Sequence, residues 1–120
     1  IKKGQITAIL GESGTGKTTL LNILVGLSEY EGQISGMEYP LSIVFQTDRL
    51  IKNLTVKQNL ALVYKGNDID EHLQQMGLAG YENAYIKSLS AGMKRRVAIL
   101  RAMLFDSNIM LLDEPFINLD

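Results

Sequence analysis

A layered α/β fold, with a mostly parallel sheet flanked by helices, is the architecture this 120-residue sequence predicts. Three observations point to it. Short, continuously apolar runs rich in β-branched residues recur along the chain, which is how strands buried on both faces read. Stretches of helical periodicity separate those runs, so the strands are joined by crossovers rather than hairpins. The composition is that of an ordinary globular chain: 46% hydrophobic and 21% charged residues, with 11 glycines and 2 prolines, exclude a disordered or fibrous polypeptide.

The elements follow in order. The run at 5–10 is apolar, β-branched and bounded by glycines, and predicts a buried strand. Leu20, Leu21, Ile23, Leu24 and Leu27 then stand at helical spacing with apolar groups on nearly every face, which predicts a buried helix ending near Gly26. Two more strands are expected at 32–35 and 41–46, separated by Gly36 and Pro40. Thr55 and Gln58 have the capping-box spacing, so a helix is expected from there to Tyr64. Asp68 opens another helix that ends near Gly77. Met93, Val97, Leu100 and Leu104 make one apolar helical face, and 109–112 is a final buried strand stopped by Pro115. The region 47–88 has helical signals and no strong strand, so it reads as a small helical subdomain inserted into the sheet.

Several classes of function are excluded at this level. Twelve basic against thirteen acidic side chains leave a formal charge of -1, which supplies no bulk attraction to nucleic acid or anionic lipid. The absence of cysteine removes disulfides, thiolate metal sites and cysteine nucleophiles. No apolar run approaches the roughly 20 residues of a membrane-spanning helix. Ile1 carries neither a start methionine nor a signal pattern, and Asp120 no stop signal, so the chain reads as one domain at most and as part of a longer protein.

The sharpest motif is Gly11, Glu12, Ser13, Gly14, Thr15, Gly16, Lys17 and Thr18, followed by Thr19. It matches the phosphate-binding loop and stands in the required context, after an expected strand and before an expected helix. Glycines let backbone N–H groups converge on phosphate oxygens, and the helix N-terminus adds a favourable dipole. Lys17 supplies a point charge to terminal phosphates, and the Thr18 hydroxyl can ligate Mg²⁺. A glycine-rich turn with an incidental lysine is the plain alternative. The second motif is Asp113 and Glu114 directly after the apolar run 109–112. Acids at the C-terminal end of a buried strand lie where α/β folds bind ligands. Asp113 can hold Mg²⁺, and Glu114 can polarise an attacking water. The third is Leu89, Ser90, Ala91, Gly92 and Met93. Locally this is Ser90 as a helix cap, yet small residues at a helix N-terminus also suit an anion. With one phosphate loop already present, such a second site serves best if it faces a nucleotide on another copy.

Taken in order, 11–18, Gln46, 89–93, 109–114 and the closing Asn118, Leu119 and Asp120 resemble the ATP-binding domain of ABC transporters over essentially the whole chain, 1–120. The resemblance implies a P-loop NTPase fold that binds and hydrolyses Mg-ATP as the energising subunit of a transporter. It implies that Gln46 senses Mg²⁺ and the transmembrane permease, that Glu114 is the catalytic base, and that Ser90 and Gly92 contact the γ-phosphate held by a second, head-to-tail subunit. Asp120 would end the loop that communicates across that dimer. Such a subunit works peripherally on the cytoplasmic face of the membrane. Met93 and Phe116 look similar to importers of small solutes such as nitrate, sulfonates or thiamine. A non-transport ATPase of the same superfamily and a non-catalytic switch that dimerises on ATP stand as alternatives.

Two departures accompany the resemblance. Ala91 stands where the family has glycine, and the family's switch histidine and adenine-stacking aromatic would fall after Asp120 and before Ile1. The 120-residue chain alone is therefore expected to hydrolyse little ATP. The remaining candidates read as structural. Lys94, Arg95 and Arg96 suggest a solvated helix face, and Met93, Met103 and Met110 core or gap-filling positions. His72 suggests a surface position on a helix, and Tyr81 and Tyr85 lack the basic surroundings that single-stranded nucleic acid requires.

Overall fold

The structure, a computed structural model, describes residues 2–119. They form two units, one through Gly36 and one from Met37 onward.

The N-terminal unit carries one regular element, α1 (Lys17–Leu24). Gly16 caps it with φ 94, and Gly14 lies at φ 83, left-handed backbone that a side chain rarely adopts. At the other end Gly26, at φ 77, lets the Leu27 N–H reach the Asn22 carbonyl at 2.8 Å, a closed helix end. Two expectations fail here. The stretches 5–10 and 32–35 form no strand, and Ile6 and Leu10 are 102% and 91% exposed. Nor is α1 buried: none of its residues is, and Leu20 and Leu27 are exposed. The reason is common to both. A strand exists only where a second strand satisfies its N–H and C=O groups, and a segment this short cannot assemble a core of its own.

The C-terminal unit is α/β, a parallel sheet with helices against it. β1 (Leu41–Val44) and β2 (Ile109–Leu112) pair in parallel, from Leu41 opposite Ile109 to Val44 opposite Leu112. The ladder extends at both ends: Asn108 N–H donates to the Pro40 carbonyl and Asp113 N–H to that of Val44, both at 2.9 Å. Between the strands come α2 (Val56–Ala61), α3 (Ile69–Gln75), a 3₁₀ turn (Ile86–Ser88) and α4 (Ala91–Leu104). Thr55 forms the expected capping box: its hydroxyl accepts from Gln58 N–H at 3.2 Å, while the Gln58 side chain accepts from Thr55 N–H at 2.9 Å. α2 stops at Ala61, short of Tyr64, in a tightened turn where the Val63 N–H donates three residues back to the Leu60 carbonyl at 3.1 Å. Asp68 starts α3, but its carboxylate does not cap the helix and serves Tyr64 and His72 instead.

Val56, Leu60, Ile69, Leu73, Leu78, Ile86, Leu89, Val97 and Leu100 form the core of this unit. The apolar face of α4 accordingly packs inward, with Val97 and Leu100 buried and Met93 and Leu104 against the cluster. Buried Asn59 is fully used: its amide donates to the Ile51 and Thr55 carbonyls and accepts from Ile51 N–H. That pins the segment leading out of β1 to α2. Met103 and Met110 are 59% and 36% exposed, so they do not fill the core. On β2 the expected two-sided burial is absent as well, since Leu112 is also exposed. Among the described residues no helix is long and apolar enough to cross a membrane.

Candidate functional site

The loop from Gly11 to Thr18 is built entirely from local contacts. The Lys17 ammonium donates to the carbonyls of Gly11 at 2.8 Å and Glu12 at 2.7 Å, and to the Thr15 hydroxyl at 3.4 Å. That hydroxyl donates in turn to the Glu12 carbonyl at 2.9 Å. The chain from Gly11 through Ser13 to Gly14 thus curls around its own lysine. A Cβ at Gly11 would stand 3.0 Å from the Thr15 hydroxyl oxygen, a tight contact. Glu12, Ser13, Thr15, Thr18 and Thr19 are all exposed, and the loop leads directly into α1. An exposed glycine-rich loop that ends in a lysine at a helix start has the parts that receive a phosphate chain.

The C-terminal unit brings together the second group. Because β1 and β2 run in parallel with Val44 opposite Leu112, the residues two positions further on, Gln46 and Glu114, face each other beyond the strand ends. The Gln46 amide lies 3.4 Å from the Glu114 carboxylate, and both side chains are exposed. Asp113, directly after β2, is only 5% exposed. Glu114 has φ 46, left-handed backbone in a residue that is not glycine. Strain of that kind costs roughly 1–3 kcal/mol and persists only where the surroundings over-determine it.

The signature segment starts α4. The Ser90 hydroxyl accepts from Met93 N–H at 3.2 Å, so Ser90 is a cap, as its sequence predicts. Ser90 and Ala91 are exposed and Gly92 is buried. Asp120 lies outside the described residues.

The basic triplet that follows is not a solvated face. Arg95 is 1% exposed and is the largest of the fully buried side chains. Its Nε donates to the Pro115 carbonyl at 3.2 Å. Nη1 donates to the Phe45 carbonyl at 2.5 Å and to the Asp48 carboxylate at 3.2 Å. Nη2 donates to the carbonyls of Asp113 at 3.0 Å and Glu114 at 2.8 Å. Arg96 donates to the Met76 and Gly77 carbonyls, closing the end of α3. Arg101 donates to the carbonyls of Asp48 and Arg49, and its half-burial pulls the guanidinium below its usual pKa. Sequence reasoning missed Arg95 because it sought one apolar face on α4. A second buried face of small residues, Gly92, Ala98 and Ala102, runs along the helix with Arg95 in its line, and that stripe was the available signal.

A further cluster stands apart from these groups. The Tyr64 hydroxyl donates to Asp68 at 2.6 Å, and His72 Nε2 lies 3.3 Å from the other carboxylate oxygen. The tyrosine hydrogen bond, ahead of the backbone and His72, holds the Asp68 carboxyl below its ordinary range, and the same bond pushes the Tyr64 hydroxyl up. Among the described residues no three side chains of His, Asp or Glu converge as a metal cage.

Known proteins share this arrangement of sequence and fold. The family model described as ABC transporter matches residues 1–117. An aliphatic sulfonates import ATP-binding protein of Pseudomonas syringae pv. tomato is 39% identical over 125 residues, which take in 100% of this chain and 54% of that protein. The Bacillus subtilis protein of the same description is 42% identical, with 100% of this chain and 52% of the relative covered. A thiamine import ATP-binding protein of Haemophilus influenzae is 40% identical, with 100% and 65% covered. The chain thus spans about half the length of the sulfonate relatives it matches. Among solved structures, an RNase-L Inhibitor superposes with a TM-score of 0.80 at 30% identity, over 97% of this chain and 24% of that one. A metal-chelate type ABC transporter in an inward-facing conformation superposes at 0.78 with 26% identity, over 100% of this chain and 54% of the other.

Proposed function

The chain belongs to the ABC transporter family, and from that premise we propose that it is part of an ATP-binding subunit that hydrolyses ATP to energise a small-solute importer. The observation that carries the reading is the meeting of Gln46 and Glu114 beyond two parallel strands, beside the buried Asp113. No local motif dictates that pairing across the sheet, and it places an amide next to the carboxylate that would act as base.

In this reading the backbone from Gly11 to Gly16 and the Lys17 ammonium hold the nucleotide's phosphates, and Thr18 and Thr19 complete the loop. Lys17 is held ready by carbonyls it would exchange for phosphate oxygens. Asp113 and Gln46, a buried carboxylate and an amide beyond the strand ends, are donors of the kind Mg²⁺ takes beside several waters and phosphate oxygens. They would hold the ion, which when bound neutralises charge on the phosphates, and the Thr18 hydroxyl is a further donor of that kind. Glu114, exposed and next to the Gln46 amide, accepts a proton from the attacking water. Ser90 and Gly92 would address the nucleotide of a second, head-to-tail subunit, with 47–88 serving as the helical subdomain toward a permease. The subunit would sit at the cytoplasmic face of the membrane. The relatives named for aliphatic sulfonate and thiamine import support a small imported solute.

The test is Glu114→Gln in the full-length subunit, which keeps shape and removes the base. Turnover should fall about 10²–10⁴-fold while ATP binding is retained. Turnover at the wild-type rate overturns the assignment.

A further inference from the structure

We infer that Arg95 is a positioning residue for hydrolysis: its buried guanidinium ties α4 to the segment around Gln46 and to the turn of Glu114, and thereby sets how these two side chains meet. The inference rests on the reading of Glu114 as the base.

The argument begins with donor arithmetic. A guanidinium has five N–H donors in a fixed plane and no acceptor. Here all five are matched, to four main-chain carbonyls and one carboxylate. The acceptors come from two segments on either side of the sheet ladder. Phe45 and Asp48 bracket Gln46, and Asp113, Glu114 and Pro115 are the carboxylate turn itself. One plane therefore fixes both partners of the 3.4 Å Gln46–Glu114 contact relative to α4.

The turn also needs such a tie. Glu114 sits at φ 46, a conformation a non-glycine residue leaves unless its neighbours hold it. Three consecutive carbonyls, Asp113, Glu114 and Pro115, are held by Nε and Nη2 of the one side chain. Burying a charge is a poor way merely to stabilise a fold, because an apolar residue of similar volume often serves as well or better. What an apolar residue cannot supply is direction. Lysine keeps the charge but has three donors radiating from one point, and it cannot reach both segments in one plane.

The experiment compares Arg95→Lys and Arg95→Met with wild type in the full-length subunit. Binding of a fluorescent ATP analogue counts competent sites and gives Kd, and kcat is expressed per competent site. Misplacement of the base should lower kcat about ten- to hundredfold in both variants, with Kd kept within about twofold. Hydrogen exchange should accelerate at 45–48 and 113–117. Wild-type kcat per competent site in Arg95→Lys, even with a lowered Tm, overturns the inference and leaves Arg95 a structural residue. If neither variant yields competent sites, Asp48→Ala decides, since it removes one acceptor and keeps the guanidinium. A kcat lowered about twofold or more with unchanged Kd supports the inference, and an unchanged kcat overturns it. A wild-type subunit that hydrolyses no ATP sinks the functional reading instead, and exchange at 113–117 in Arg95→Lys then judges the tie alone.

Discussion

Two cations show how differently the two units are made. Lys17 in the N-terminal unit bonds, among the described residues, to Gly11, Glu12 and Thr15, at most six residues away, in a loop with no buried residue. Arg95 in the C-terminal unit is 1% exposed and bonds to groups between 18 and 50 residues away. A lysine on a local loop is a loose point charge that can exchange carbonyls for a ligand. A saturated arginine between distant segments has nothing left to exchange, and it serves geometry. The loop at 11–18 is thus a property of eight consecutive residues, whereas the meeting of Gln46 with Glu114 is a property of the whole C-terminal unit.

The largest effect that should separate the units is in stability. Leu73 is 1% exposed in the core, so Leu73→Ala should cost about 2–5 kcal/mol. Leu10 is 91% exposed, and Leu10→Ala should change stability by no more than about 0.5 kcal/mol. Thermal unfolding of the two variants checks the contrast, and an equal loss in both would break it by showing that something covers Leu10.

Next comes ligand binding. Lys17→Ala should weaken ATP binding by about 1.5–3 kcal/mol, a ten- to hundredfold rise in Kd by calorimetry. The Tm of the protein without nucleotide should stay close to wild type, because this cation supports only its own loop. A Tm loss as large as that of Leu73→Ala would mean that Lys17, like Arg95, is a tertiary strut.

The smallest effect is a pH dependence confined to the C-terminal unit. The Asp68 carboxyl is lowered in the fold by Tyr64, so its contribution to stability is complete above the ordinary carboxylate range. That contribution is lost as pH falls through the folded-state value. The Tyr64 hydroxyl is raised, so its contribution is complete below the ordinary tyrosine range near pH 10 and is lost as pH rises beyond it. Asp68→Asn should flatten both ends of a profile of Tm against pH. An unaltered acid limb would show that the pair does not bear on folding.

The same division explains what was legible in the sequence. The Thr55–Gln58 capping box, the Ser90 cap, the α4 apolar face and a parallel sheet with strands at 41–46 and 109–112 were readable. Each rests on spacing within an element or on the pattern of apolar runs. The pairing of these two strands and the end of β1 at Val44 were not readable. Failures came where burial was inferred from apolar character alone. The run 5–10 and the helix that starts at Lys17 are apolar, yet none of their residues is buried, and no residue of that unit among those described is.

By itself, then, the sequence determined the glycine-rich loop at 11–18, the Thr55 and Ser90 caps and where α2, α3 and α4 start, because turn geometry and capping are settled within a few residues. Only the tertiary structure decided that Gln46 faces Glu114 and that Glu114 is held left-handed. It also turned one of three adjacent basic residues into the buried tie between them. The physical reason is that a guanidinium gains nothing from its sequence neighbours: its five donors are satisfied only when a sheet register and a helix packing bring five distant oxygens into one plane.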